Sequence, residues 1–266
     1  MQNTSITLVY FSPTGTTRKV IKGIAQGIVC DHVVEVDITS QESREKQLTT
    51  SANDVLIVGV PVYKGRVPAL VSDWLRTITA DNTPVVSVVV YGNRNYDNAL
   101  LELQDILTER GGVPVAAAAY IGEHSFSSEE KPTAQGRPDE QDIAHARGFG
   151  ESIRARLEEL AKGGNVAAIN IPGERPYGSK TELWKVDFIA VDETCIDCGA
   201  CAEACPVGAI PEDDFTSTNA EICLTCCACI KVCPVGARSI KEGIIFQSAT
   251  KLATFCKERK SPEVFL

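Results

Sequence analysis

Eight of the eleven cysteines in this 266-residue chain fall into one pattern written twice. Residues 195–206 read C-I-D-C-G-A-C-A-E-A-C-P, and residues 223–234 read C-L-T-C-C-A-C-I-K-V-C-P. In each run the cysteines are spaced three, three and four apart, and a proline follows the last. Three thiolates at such spacing wrap three corners of an iron–sulfur cubane, and the fourth corner needs a more distant cysteine. Zinc is the competing reading, since two C-x-x-C pairs suffice for a tetrahedral site. It would leave the third and fourth cysteines of each run, and both C-P steps, without a purpose. Disulfides are disfavoured if the thiols stay reduced. The N-terminal residues lack a basic stretch and a cleavable apolar one, and no 18-residue apolar run exists, so a cytoplasmic protein without a membrane span is expected. Oxygen-sensitive clusters would suit an anaerobic or low-oxygen host.

The module that carries these runs, residues 189–241, has eight acidic and three basic residues. Its halves form an internal repeat, each with the cysteine run, then C-P-V-G-A. The module resembles bacterial two-cluster ferredoxins. That likeness implies two [4Fe–4S] clusters with crossed ligands, in which the C-P cysteine of each run serves the other cluster. Cys195, Cys198, Cys201 and Cys233 would hold one cluster, and Cys223, Cys226, Cys229 and Cys205 the other. So small a module would depend on its metal to fold. Cys227 is spare, and Cys30 and Cys256 lie outside the motif as core or surface thiols.

Something must position a redox partner for those clusters, and the preceding residues have the length to do it. Apolar, β-branched runs at 6–11, 33–38, 55–60, 85–91 and 115–121 read as strands. Helical segments alternate with them, at 16–29, 68–78, 98–110 and 141–162, with a short polar candidate at 41–48. Parallel strands need crossovers, and these crossovers are mostly helical, so an α/β fold with a doubly wound parallel sheet of five strands is predicted. Residues 1–162 form this domain, 163–188 a Gly/Pro-rich linker, 189–241 the cysteine module and 242–266 a tail that packs back on either domain. Ligands of such sheets lie beyond the carboxyl ends of the strands, so the loops after strands one, three, four and five matter most.

The first of these loops, Ser12-Pro13-Thr14-Gly15-Thr16-Thr17, runs straight into a helix. Its hydroxyls and amides, with the helix N-terminus, offer donors to a phosphate. The same residues would also serve as a Ser/Thr-rich helix cap. Neither a P-loop nor a G-x-G-x-x-G run is present, which argues against a nucleoside triphosphate or a dinucleotide.

The loop resembles the phosphate loop of flavodoxins, with Ser12, Thr14, Gly15 and Thr17 matching and Thr16 in the variable place. The likeness spans roughly residues 3–162 and implies FMN and the strand order 2-1-3-4-5. It would place the loop Pro61-Val62-Tyr63-Lys64-Gly65-Arg66 beside the flavin ring, with Tyr63 stacking and Gly65 facing flavin N5. Lys64 or Arg66 would then stabilise reduced flavin, or simply be solvated. Tyr91, Gly92, Asn93, Arg94 and Tyr96, after strand four, would surround the ring from the other side, or form a turn and a helix cap. The long segment 122–138 reads as a lid or binding surface and contains His124, a candidate proton donor that is equally a surface or capping residue.

Both halves together resemble fused flavodoxin–ferredoxin proteins. The resemblance implies electron transfer between FMN and two [4Fe–4S] clusters, in exchange with a ferredoxin or oxidoreductase. A second reading is an FMN-dependent oxidoreductase acting on a small-molecule substrate, fed by the clusters; a weaker one is a redox sensor or docking module. The net charge of −9 argues against nucleic acid as a partner and suits a basic docking face on a redox partner protein.

Overall fold

The computed structural model describes residues 5–164, 168–178 and 184–266. In chain order the first region contains β1 (Ser5–Tyr10), α1 (Thr16–Ile28), β2 (Val33–Asp37), β3 (Thr49–Ser51), β4 (Asp54–Pro61), α2 (Ala69–Leu75), β5 (Thr79–Asp81), β6 (Pro84–Tyr91), α3 (Ala99–Glu109), β7 (Val113–Ile121) and α4 (Glu140–Ala161). The cysteine module follows with β8 (Ile189–Val191), α5 (Ala200–Glu203), α6 (Ala228–Lys231) and β9 (Arg238–Ile240), and the tail with α7 (Ile244–Phe255) and β10 (Glu263–Phe265).

Five parallel strands pair in the order β2-β1-β4-β6-β7, the arrangement 2-1-3-4-5 expected from the flavodoxin likeness. Side chains alternate across them, as a period of two demands. Leu56, Val58 and Val60 of β4 pack with α2 and α3 on one face, and Val55 and Ile57 pack with α1 and α4 on the other. Helices cover both faces, which is why β4 and β6 read as unbroken apolar runs. On the second face α1 and α4 approach very closely. A Cβ on Gly27 would stand 1.9 Å from the Arg147 carbonyl oxygen, and one on Gly150 would stand 2.1 Å from that of Ile24. Glycine is required at both crossing points because the backbones themselves touch.

Two features go beyond the expected five strands. β3 and β5 form a small parallel pair of their own. β10 joins the main sheet as a sixth strand, antiparallel to β7, with Val264 opposite Ala118. The tail therefore returns to the first region after the chain has passed through the cysteine module. The polar segment expected as a short helix contains a single 3-10 turn, Glu42–Glu45.

Between the two regions, residues 168–178 run along α3. Ile171 enters the core, Arg175 makes two hydrogen bonds of 2.6 Å to Asp105, and the Glu174 amide donates to the Asn98 side chain. The rest of the expected linker includes residues 165–167 and 179–183, which lie outside the described residues. The cysteine module is closed by the β8–β9 pair, with a small core of Phe188, Ile189, Cys227 and Ile245. No helix among the described residues is long and apolar enough to cross a membrane.

Candidate functional site

At the carboxyl ends of β1, β4, β6 and β7 a cavity of about 1040 Å³ opens between the two regions. Ser12, Pro13, Thr14, Thr16 and Thr17 line one end of it. The α1 N-terminus delivers these residues and has no acidic side chain in its first turn. Ser12 Oγ accepts the Arg18 amide at 3.1 Å, which leaves its own proton to donate. Thr17 Oγ1 is buried with no hydrogen-bond partner. A buried hydroxyl without a partner is costly, and a phosphate in the loop would supply its acceptor. Hydroxyls, amides and a helix N-terminus together fit a phosphate monoester.

The same cavity reaches the cysteine module through Val207, Ile222, Leu224 and Thr225. Pro61, Val62, Tyr63 and Lys64 approach from the loop after β4, Tyr91, Gly92 and Arg94 from the loop after β6, and His124 and Phe126 from the loop after β7. Facing them across the cavity are Trp184, Val207, Ile222, Leu224 and Thr225 from the second region. The Lys64 ammonium sits 4.4 Å from the centre of the Trp184 ring.

Three residues expected at the flavin ring stand elsewhere. Lys64 and Gly65 both have positive φ, at 52° and 77°, and close a tight turn in which the Tyr63 amide donates to the Arg66 carbonyl at 3.0 Å. This turn packs Gly65 on Asp97, where a Cβ would stand 2.3 Å from the carboxylate. Asn93 turns away and donates to the carbonyls of Cys256 and Glu258, both at 2.8 Å. Tyr96 donates to Glu263 of β10 at 2.8 Å. Asn93 and Tyr96 thus hold the tail. Gly15, expected at the phosphate, sits at the α1 N-cap and is not in the cavity lining. Arg66 is taken up by Glu102, with both nitrogen–oxygen distances at 2.7 Å.

His124 lines the cavity, and its Nδ1 accepts the Phe126 amide at 3.0 Å. That bond puts the proton of the neutral ring on Nε2. Burial, then the charges of Arg94 and Lys231, push the imidazole down to about 4. It therefore enters the cavity as a neutral hydrogen-bond donor.

The eight motif cysteines sort into two groups. Cys195, Cys198, Cys201 and Cys233 line one small cavity, with Arg238, Phe215 and Val235. Cys205, Cys223, Cys226 and Cys229 line another, with Ile210, Val207 and Leu224. Among the described residues no His, Cys, Asp or Glu side chains converge as a single-ion site does. Four motif cysteines, the number a cubane takes, line each small cavity, and Cys227 is a fifth thiol at the second. Backbone N–H groups assist. The Ala209 amide donates to Cys205 Sγ at 3.2 Å. At Cys233 burial acts to raise the thiol, but the amides of Val235, Ala237, Arg238 and Gly236 outweigh it and hold the group below its usual range.

The second cavity adjoins the large one, because Val207 and Leu224 wall both. The first shares no lining residue with the large cavity and reaches the surface at Ile196 and Val235, 60% and 44% exposed. Tyr63 lines the large cavity. Burial, then the neighbouring Cys226, Cys227 and Cys223 sulfurs, raises its phenol well above the ordinary range. Sequence reasoning missed Trp184, Leu224 and Thr225 as cavity residues. The first lies in a segment read as linker, and the other two were hidden by the cysteines beside them.

The regions are also bound directly. Lys231 Nζ bonds Glu123 Oε1 at 2.5 Å and the Ser127 carbonyl at 2.7 Å. Lys131 Nζ lies 3.9 Å over the Phe246 ring, and Arg44 donates to the Pro206 carbonyl at 2.6 Å. Segment 122–138 is therefore a bracket that holds the cysteine module, besides lining the cavity. Within it Arg137 is buried against Asp142, with its Nε 2.8 Å from Asp142 Oδ2, and donates to the Lys260 carbonyl of the tail.

Residues 194–237 match the 4Fe-4S dicluster domain family. No curated protein sequence matches the chain. Among solved structures, a flavodoxin from the domain Archaea is 14% identical, covering 58% of this chain and 99% of its own, with a TM-score of 0.40. Oxidised flavodoxin 2 from Bacillus cereus is 18% identical, covering 57% and 99%, with a TM-score of 0.43. The rubredoxin oxygen:oxidoreductase of the anaerobe Desulfovibrio gigas is 18% identical, covering 60% of this chain but 38% of its own, with a TM-score of 0.41. The chain thus joins an α/β domain whose parallel strands run in the flavodoxin-like order 2-1-3-4-5 to a segment that matches the 4Fe-4S dicluster family.

Proposed function

We propose that the protein transfers electrons between FMN, held in the large cavity, and two [4Fe–4S] clusters, and exchanges them with an external redox partner protein. The observation that carries this reading is the shared wall: Val207 and Leu224 line both the large cavity and that of Cys205, Cys223, Cys226 and Cys229. FMN supplies one- and two-electron chemistry, and each cluster supplies one-electron steps. Ser12, Thr14, Thr16 and Thr17 would hold the phosphate. Tyr63, Trp184 and Tyr91 would border the ring, and Lys64 would place a positive charge near it. The neutral His124 would donate a hydrogen bond through Nε2. Cys195, Cys198, Cys201 and Cys233 would hold the outer cluster, and the other four motif cysteines the inner one. Covalent and non-covalent attachment of the module fixes the two cofactors at one separation, without a diffusional encounter. At the outer end, exposed Ile196 and Val235 among acidic residues would suit a basic partner face.

The test is anaerobic cofactor extraction with iron and sulfide counts, followed by a spectroscopic redox titration. About eight irons and about one FMN per chain are expected. Iron without flavin would sink the coupling and leave the iron–sulfur half standing.

A second reading, a reductase of a small molecule, is favoured by one observation. The large cavity continues past the flavin loops to Ser248, Lys251 and Leu252 of α7. Reoxidation of the reduced protein by a small acceptor, saturable in that acceptor, would support it over simple electron exchange.

A further inference from the structure

The two halves of the cysteine module are repeats, yet they differ sharply at one aligned position. After C-P-V-G-A the first half has Ile210 and the second has Arg238. Ile210 lines the inner cavity, and Arg238 lines the outer. Arg238 is 3% exposed. Its Nη1 donates to Cys201 Sγ at 3.3 Å and to the Phe215 carbonyl at 2.6 Å, and its Nη2 donates to Thr218 Oγ1 at 2.7 Å. Its Nε is buried with no partner. Among the described residues, no carboxylate bonds to it.

A buried guanidinium without a counter-ion is strongly unfavourable. The negative charge that balances it is the thiolate set beside it. A [4Fe–4S] cluster on four thiolates is anionic and gains one further negative charge on reduction. A fixed cation and an N–H···S bond both favour the reduced form, and so does access to solvent. The outer set has the fixed cation and its N–H···S bond, Arg238 on Cys201, and access to solvent at the exposed Cys198. The inner set has apolar Ile210 and Leu224 in its walls, no exposed cysteine and a neutral amide bond, from Ala209 to Cys205 Sγ, while each set has one buried thiol, Cys201 and Cys226. Arg238 also acts on the inner set, by charge at Cys223 and by charge and a hydrogen bond at Cys229, so the inner cluster receives part of the effect.

We propose that Arg238 holds the outer cluster at a higher potential than the inner one, so that electrons leaving the cavity run downhill to the surface. The step is one electron: the inner cluster is oxidised by one, the outer is reduced by one, and no proton moves. Reduced flavin is the source, and a one-electron redox protein at the surface is the acceptor. This rests on the reading of the eight cysteines as ligands of two clusters.

The experiment is an anaerobic, EPR-monitored redox titration of the full chain, with iron counted on the same sample. Wild type should show two separated waves, and Cys198→Ala, which removes an outer ligand, should keep the lower one. Arg238→Gln at full iron content should move the upper wave down toward the lower, with a smaller shift of the lower. Arg238→Lys should recover part of the loss. Coincident waves in wild type, or an unmoved upper wave in the iron-replete R238Q protein, would overturn the proposal. If R238Q does not retain the outer cluster, Arg238→Lys decides. Its upper wave should fall below that of wild type and remain above the lower wave, and an unmoved wave refutes the proposal. A wild-type protein without iron defeats the cluster reading itself, and the iron count shows this before any potential is measured.

Discussion

The two regions of this molecule are built on different economies of burial. The α/β domain has two full apolar layers, one on each face of its sheet, with side chains such as Ile57, Leu56, Leu100 and Ile24 entirely removed from water. The apolar cluster at the cysteine module has four buried members, Phe188, Ile189, Cys227 and Ile245, of which only Ile189 and Cys227 belong to residues 189–241. Apolar burial at roughly 25 cal/mol per Å² sustains the first and is too scarce to sustain the second. The difference teaches that one region is specified by its side chains alone, while the other is specified by side chains together with what they bind.

Removing iron gives the largest effect. Anaerobic chelation should abolish hydrogen-exchange protection across the module, residues 189–241, while the amides of β1, β4, β6 and β7 stay protected. Simultaneous loss of protection in both regions would break the contrast and make the metal a support of the whole molecule.

A smaller effect is expected at the bracket that ties the regions. Asp142→Ala leaves Arg137 buried without its carboxylate, which should cost about 3–5 kcal/mol in a denaturant melt. Because Arg137 also holds the tail at the Lys260 carbonyl, iron should be released faster from this variant. Destabilisation with unchanged iron release would show that the α/β domain carries the bracket without passing its order to the module.

The smallest effect is a pH dependence at the boundary. The folded protein binds a proton on His124 less readily than the unfolded chain does, since the group falls from an ordinary 6.5 to about 4. Its contribution to stability is therefore complete above about pH 6.5 and is lost as the pH falls toward about 4, by up to about 3 kcal/mol. His124→Gln should flatten that part of the pH–stability curve in thermal melts of the loaded protein. An unchanged slope would place the acid sensitivity elsewhere.

What was legible in the sequence follows from how local each signal is. The five parallel strands were visible because strands buried on both faces need unbroken β-branched runs, and β4 and β6 supply them. The cysteine runs were visible because ligand spacing is itself a local pattern. β3 and β5 were not, since T-T-S and T-A-D hold no periodicity and are strands only by pairing with each other. β10 escaped for the same reason, because three residues become a strand only against β7. Asn93 and Tyr96 sit in a loop where flavin contacts were expected, but their partners lie more than 160 positions away, at Cys256, Glu258 and Glu263. Trp184 had only a Gly/Pro-rich neighbourhood to be judged by, and its role exists only once the module folds over the cavity.

The return of β10 to the sheet has a consequence for synthesis. On the ribosome the sheet strands emerge first, and β7 waits with one bare edge of N–H and C=O groups until residues 263–265 follow. All eight motif cysteines emerge in that interval. An open edge is the place where sheets join to wrong neighbours. The nascent chain is thus exposed to mispairing for as long as the cysteine module separates β7 from its cover.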